Sequence, residues 1–400
     1  MKRPHLSHSE KARRIVFALV LLPALLGVSL LFGFTYNFTQ PELTDYVNPF
    51  IGTAPGGSKF GFTGDSGDVF PGATYPAGML QWSPDTTSNI PGGYNYLDST
   101  IKGFSLTHFS GRGCTAYQDI PFMPSIGLPT VSPATHSSLY QSRFSHNSED
   151  AHPGYYRVHL DTSNVDVELS VTARTGIARF TYPASRAATM LINAGGSING
   201  NSNAAVTIVP GNREVTGFAT STIGCGNNHY RLYFAAQFDR SFTNYGTWNK
   251  TAVNSGSTTS TSAHAGAYVS FDTTSNTVVQ VKVGISFVSI ANAEADLAAE
   301  QSGFNFISVR QHADTAWHSR LGSIVVQGGS SAEKTIFYTA LYHASIHPNI
   351  FSDDNRQYIG FDGKVHTLAK SQHAQYENIA GWDQYRSLFP LLATLFPIEA

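Results

Sequence analysis

The feature that most constrains this chain is an alternation of apolar and polar residues that begins at Tyr155 and recurs through its middle. Tyr156, Val158 and Leu160 alternate with polar neighbours, as do Val165, Val167, Leu169 and Val171, then Tyr230, Leu232, Phe234, Ala236 and Phe238, then Val279, Val281 and Val283. A period of two turns one face of an extended segment to a core and the other to water. Many such short strands, separated by Gly, Ser and Asn turns with no helices between them, predict a mainly β protein built on an antiparallel β-sandwich rather than a parallel α/β sheet. Upstream, Pro41 to Pro153 is dense in Gly and Pro, which predicts short strands joined by ordered loops.

The pattern changes near Ala291. Strong helix formers from Asn292 to Glu300 predict a helix behind an Asn292 cap, and a second helix is expected around Phe304 to Arg320. A strand-like run from Ser323 to Gln327 precedes Ser330-Ser331-Ala332-Glu333, whose spacing predicts a capping box and a helix carrying Ile336, Phe337, Ala340, Leu341 and Ala344 on one face. Helical spacing recurs at Trp382, Tyr385, Phe389, Leu392 and Phe396, and Pro390 should kink or restart that helix.

At 400 residues the chain can hold two or three domains, and its net charge of -2 argues against nucleic-acid binding. Ser, Thr, Asn and Gly fill positions that charged residues usually occupy, a composition that suits export. Lys2, Arg3, Lys11, Arg13 and Arg14 precede a charge-free apolar segment, Ile15 to Phe34. Its length matches a bilayer core, and the basic tail would place everything after about Tyr36 outside, as in a signal anchor; a cleaved signal peptide is the other arrangement these residues allow. Asn37-Phe38-Thr39 and Asn249-Lys250-Thr251 are glycan sequons, and Cys114 and Cys225 suit a single disulfide outside the cell.

Three groups of residues carry chemistry. The stretch Gly103 to Pro121 combines glycines, hydroxyls, His108, Arg112 and Asp119, a poor core but a good surface for approaching a polar ligand. A tight turn with a satisfied histidine is the competing reading. Asp383 and Arg386 stand one helical turn apart beside Trp382. A carboxylate kept charged by a guanidinium can accept hydrogen bonds from vicinal hydroxyls while an indole supports a sugar ring; a salt bridge among core aromatics is the alternative. His343 and His347 have zinc-compatible spacing, yet Ala344 replaces the glutamate of a metalloprotease-type motif and Pro348 follows directly, so packing or hydrogen bonding is expected of them. Asp353 and Asp354 read as a solvated turn.

The order of several motifs resembles a known family. Asp45-Tyr46-Val47-Asn48-Pro49-Phe50-Ile51-Gly52-Thr53, Gly67-Asp68-Val69-Phe70-Pro71-Gly72-Ala73, Pro76-Ala77-Gly78-Met79, Ser83-Pro84-Asp85-Thr86, Gly92-Gly93-Tyr94, Gly103-Phe104-Ser105, His108, Ser110-Gly111-Arg112-Gly113-Cys114 and Asp119 resemble the N-terminal domain of family 92 glycoside hydrolases, calcium-dependent exo-acting α-mannosidases. Phe337-Tyr338-Thr339-Ala340-Leu341-Tyr342-His343, Pro348, Ser352-Asp353, Tyr358 and Trp382-Asp383-Gln384-Tyr385-Arg386 resemble the start of that family's catalytic domain.

The resemblance implies a tail and signal segment at 1–35, a β-sandwich at 42–290, a helical linker at 291–322 and, at 323–400, the start of an (α/α)6 barrel, with the active site where sandwich and barrel meet. Mannose-containing glycans would be the substrates and Ca2+ the cofactor. Trp382, Asp383 and Arg386 become pocket residues, joined by His108, Ser110, Gly111, Gly113 and Cys114 from the sandwich loop. Inversion needs an acid and a base roughly 6.5–9.5 Å apart. The family carries these in an Asn-Glu-Pro motif and in a segment before a Met-Ser-Ala-Trp run, neither of which occurs in this sequence. Both catalytic carboxyls are therefore expected beyond Ala400, which leaves an incomplete barrel up to that residue, and the competing function is a non-catalytic sugar-binding sandwich.

Overall fold

The alternating segments pair as their period requires. In a computed structural model that describes residues 42–55, 67–111, 113–226 and 228–400, two antiparallel sheets face each other. One runs Ser83–Thr86, Thr100–Ser105, Phe122–Ile126, Ala188–Ile192, Gly266–Phe271, Asn244–Trp248 and Val253–Ser255, with Ser142–Arg143 paired to Thr100–Ser105. The other runs Thr259–Thr261, Asn201–Val209, Glu214–Thr222, His229–Phe238, Val278–Ser286, Thr175–Thr181, Val165–Val171, Tyr155–Leu160 and Asp150–His152. The alternating residues fill the space between the sheets: Tyr156, Val158, Val167, Leu169, Leu232, Phe234 and Val281 are fully buried. The segment Ile15 to Phe34, the Asn37 sequon and Arg112 lie outside the described residues. Among the described residues no helix is long and apolar enough to cross a membrane.

Helices cover part of the second sheet's outer face. Helix α1 (Ile290–Glu300) lies against Val278–Ser286, where Gly284 permits the approach: a Cβ there would sit 2.2 Å from the Ala293 carbonyl oxygen. The cap of α1 is Ser289, which accepts the Asn292 amide, so Asn292 is not the cap expected from sequence. Asn292 instead lies inside the helix and reaches Asp353 and Gln357. Helix α2 (Phe306–Leu321) buries Trp317, whose Nε1 donates to the Thr74 carbonyl at 2.7 Å.

Ser323 to Gln327 is not a strand. Among the described residues no partner strand pairs with it, and the Tyr338 hydroxyl serves its backbone, accepting from the Val326 amide and donating to the Ile324 carbonyl. Helix α3 (Ser331–Ala344) has the expected Ser330/Glu333 capping box. Its buried face is Tyr338, Leu341 and Tyr342, whereas Ile336 and Ala340 point to solvent. The face turns because Tyr342 packs on Trp317 and bonds the Thr74 hydroxyl, which fixes the rotation of the helix. Two small hairpin sheets follow, Asn349–Ile350 with Tyr376–Glu377 and Gln357–Ile359 with Val365–Thr367. The single C-terminal helix that the spacing predicts is two, α4 (Gly381–Gln384) and α5 (Leu388–Leu395), with Pro390 in the first turn of α5, where its missing amide hydrogen costs no bond. After α5 the backbone closes in a turn, in which the Glu399 and Ala400 amides both donate to the Phe396 carbonyl at 3.1 Å.

Candidate active site

The glycine-rich stretch forms a loop held at its base by the sheet. Leu106 donates to the Asp119 carbonyl and Gln118 to the Thr107 carbonyl, both at 2.9 Å. His108 is fully buried beneath it, with Nδ1 against the Gln81 carbonyl and Nε2 against Asp85 Oδ1, each at 3.0 Å. Gly93 closes this pocket, since a side chain there would strike both Asp85 and His108. His108 is thus the satisfied histidine of the competing reading and acts by shaping the loop from below. Gly111, at φ 104°, takes a left-handed conformation suited to glycine and bonds the Asp68 carbonyl. Cys114 is bonded to Cys225, across a sequence separation of 111, so it ties the loop to the second sheet.

Polar contacts fasten this loop to the C-terminal segment at two points. The Ser110 amide donates to His347 Nε2 at 2.8 Å, while Phe109 stacks on the imidazole with ring centres 5.1 Å apart. Because Nε2 accepts, the proton sits on Nδ1, which donates to Asn349 Oδ1. Burial holds the imidazole neutral, lowering its pKa to about 4. Asn378 Nδ2 also donates to Asn349 Oδ1 at 2.7 Å, and Asn378 Oδ1 accepts the Tyr117 hydroxyl at 2.9 Å. Ser110, His347, Asn349, Asn378 and Tyr117 therefore form one continuous network from one side of the loop to the other. Tyr117, Gln118 and Ile120 have φ of 67°, 54° and 55°, backbone strain that the surrounding bonds maintain.

Four residues beyond Asn378, Trp382 begins the motif named from sequence. Its side chain is 89% exposed, and Arg386 is also exposed, its guanidinium bonded to the Tyr385 hydroxyl. Asp383 lies in α4, and its side chain is outside the description. The structure therefore brings Ser110, Gly111, Gly113 and Cys114 into one loop and joins that loop to the strand just before Trp382. The indole is not a member of a core, as the salt-bridge alternative required.

The acids divide into two groups. Asp119 is fully buried and accepts from Thr107, Ser197 and Tyr230; desolvation raises its pKa against those hydrogen bonds. Glu377 stands near it, its carboxyl turned towards Tyr117; desolvation raises its pKa to about 8, opposed by the Tyr117 bond and reinforced by Asp119. Asp353 is not in a solvated turn. It is 1% exposed, and its Oδ2 accepts from Ser286 at 2.8 Å and Asn292 at 2.6 Å. Asp296 accepts the Asp354 amide at 2.8 Å. Asp296 Oδ2 and Asp353 Oδ1 are buried without a hydrogen-bond partner among the described residues, and burial raises the pKa of both carboxyls. Desolvation, then repulsion by Asp353, raises the Asp296 pKa to about 8.

Both groups contain carboxyls with raised pKa, a property that a general acid also needs. Burial separates Asp119, Asp296 and Asp353 from that role, because they face hydroxyls and amides rather than an open cleft, whereas Glu377 is half-buried. Glu399, the acid nearest to Ala400, is engaged by the Arg320 guanidinium at 2.7 Å.

Among the described residues no three His, Cys, Asp or Glu side chains converge as a metal site. Asp119 is occupied by hydroxyl donors, and Asp296 and Asp353 stand as a pair with no third such side chain converging on them, so these groups do not form the calcium site expected from the resemblance. His343 and His347 form no such site either.

Comparison with known proteins decides the family. A model of the glycosyl hydrolase family 92 N-terminal domain matches residues 46–286, and one of the family's catalytic domain matches residues 292–400. The chain belongs to glycosyl hydrolase family 92. Among solved family 92 structures, the alpha-mannosidase BT3965 from Bacteroides thetaiotaomicron is 33% identical with a TM-score of 0.79, the match covering 88% of this chain and 47% of that one. The inverting mannosidase BT2199 of the same organism is 26% identical, with a TM-score of 0.76 and coverage of 88% and 46%. A secreted glycosidase of Arthroderma benhamiae is 24% identical over 83% of this chain and 45% of its own length. The family 92 chain thus spans about half the length of these relatives.

Sequence reasoning missed Glu377, Asn378 and Asn349, and read His347 without its partner. Only an Asn placed just before Trp382-Asp383 hinted at a role for this strand; its bond to a loop 261 residues away in sequence has no local signature.

Proposed function

We propose that this family 92 chain carries the sandwich and the first part of the catalytic domain of an exo-acting α-mannosidase, which releases terminal α-linked mannose from N-glycans or mannans with inversion. The observation that supports it is the network from Ser110 through His347, Asn349 and Asn378 to Tyr117, which holds the sandwich loop against the segment leading to Trp382. In this reading Trp382 supports the terminal sugar ring, Asp383 accepts its vicinal hydroxyls, and Arg386 keeps that carboxylate charged. Backbone amides around Ser110, Gly111, Gly113 and Cys114 approach the sugar from the sandwich side, and His108 positions their loop.

We place the acid and base beyond Ala400, because the family's motifs for them are not in this sequence. The domain layout from the sandwich at 42–290 through the linker to a barrel start at 323–400 is part of the proposal, as is an exported chain, secreted or anchored through Ile15 to Phe34. Calcium dependence rests on family membership alone, and no step here passes through the ion. A binding sandwich without catalysis is not favoured, since the family's catalytic-domain model matches residues 292–400.

The test compares purified residues 42–400 with the same residues joined to the remaining catalytic domain of the Bacteroides alpha-mannosidase, on an aryl α-mannoside with calcium. The expected result is background for the former and turnover for the latter, with Asp383→Asn in the joined, folded form costing about 2 kcal/mol of transition-state binding, roughly thirtyfold in kcat/KM. Turnover by residues 42–400 alone would overturn the placement of the acid and base.

A further inference from the structure

The Asn249-Lys250-Thr251 sequon takes no part in the candidate active site. It forms the tip of the hairpin between Asn244–Trp248 and Val253–Ser255, the latter being the last strand of its sheet. Asn249 closes the turn with its own amide, which donates to the Ala252 carbonyl at 3.1 Å. Its side-chain Oδ1 accepts three bonds, from the Thr251 amide at 3.0 Å, the Thr251 hydroxyl at 3.3 Å and the Ala252 amide at 3.0 Å. Every polar contact of the side chain is thus made through its oxygen, while Nδ2, the atom that carries an N-linked glycan, bonds to nothing among the described residues. The tip is steadied from the neighbouring loop, where Ser132 bonds the Asn249 carbonyl and Thr135 the Lys250 carbonyl. Asn249 is half-buried, and the two residues after it, Lys250 and Thr251, are exposed. A second, independent observation concerns the compartment: Cys114 and Cys225 are paired, and such bonds persist where proteins are exported.

We infer that Asn249 is an N-glycan acceptor, occupied by an N-acetylglucosamine-linked oligosaccharide in a host that glycosylates exported proteins. This rests on the proposal that the chain is exported. The tip lies far from the candidate site, because the strand that leads into the Ser110 loop and the Val253–Ser255 strand are separated by five strand spacings of one sheet, roughly 24 Å. A glycan here would leave sugar access at the loop unobstructed and would flank an edge strand that is otherwise open to pairing with another chain.

The test is secretion of the whole chain from yeast or insect cells, followed by thiol counting and mass mapping of the Asn249 peptide before and after peptide-N-glycosidase F. The expected result is an intact disulfide and a glycan at Asn249, retained in Thr251→Ser and lost in Thr251→Ala. Both variants keep the two backbone bonds to Asn249 Oδ1, so both should fold. An intact disulfide with a bare Asn249 would overturn the site. Free thiols at Cys114 and Cys225 with a bare Asn249 would overturn the export on which it depends.

Discussion

The sandwich and the last forty residues handle most of their large apolar side chains in opposite ways. In the sandwich, Trp82, Phe104, Tyr156, Phe234 and Trp248 are fully enclosed. In the C-terminal segment Phe361, Val365, Ile379, Trp382, Tyr385 and Ile398 stand in solvent, although α5 buries Leu392 and Arg320 pins the final turn through Glu399. Paired sheets supply their own cover, because each strand's apolar face meets one from the opposite sheet. The short hairpins and helices after α3 have no such partner among the described residues, and exposed apolar surface of this kind marks a binding or packing site.

The contrast can be broken most sharply at Trp82, whose indole donates to the Phe104 carbonyl and packs edge-on against Phe122. Trp82→Ala should cost about 3–5 kcal/mol in urea unfolding, by cavity formation and a lost buried bond. A cost below about 1 kcal/mol would mean that the sandwich is looser than its burial implies. Removing the disulfide with paired Cys114→Ser and Cys225→Ser changes should cost about 2–4 kcal/mol, read in the same titration, because it closes a long loop in the unfolded chain.

The junction of the two regions should respond to pH. The Asp296 carboxyl, raised to about 8, holds a proton in the folded state that it gives up unfolded near pH 4. Its stabilising contribution is fully present below pH 4 and is lost as pH rises towards 8. Thermal melts across this window should show falling stability, and Asp296→Asn should flatten the slope; an unchanged slope would exclude a proton held on the folded Asp296 carboxyl. The smallest effect belongs to Phe361→Ala, expected to change stability of residues 42–400 by less than about 0.5 kcal/mol, since the ring is already in water. A loss above about 1 kcal/mol would show that this segment packs more tightly than described.

Legibility of the sequence follows the same division. The strands at Tyr155–Leu160, Val165–Val171 and His229–Phe238 are readable because alternation is a local property. The capping box of α3 is readable because its two residues are three apart. Asn292 misleads because a good capping residue is also the partner of Asp353, and Ser323 to Gln327 misleads because alternation does not reveal whether a strand edge is waiting. His343 and His347 carry a metal-like spacing, but burial and the Ser110 amide decide what His347 does.

By itself the sequence determined the β-sandwich, the helices that follow it, the family, and the motifs from which the sugar site is proposed, because each is written in periodicity or in residues close along the chain. Only the tertiary structure decided which of those residues meet. The Ser110-to-Tyr117 network depends on His347, Asn349 and Asn378, and the Asp296–Asp353 pair bridges α1 to a turn far along the chain. Burial shapes both: desolvation keeps His347 neutral so that it can accept and raises the pKa of Asp296 and Asp353, and desolvation is fixed by packing rather than by neighbours in sequence.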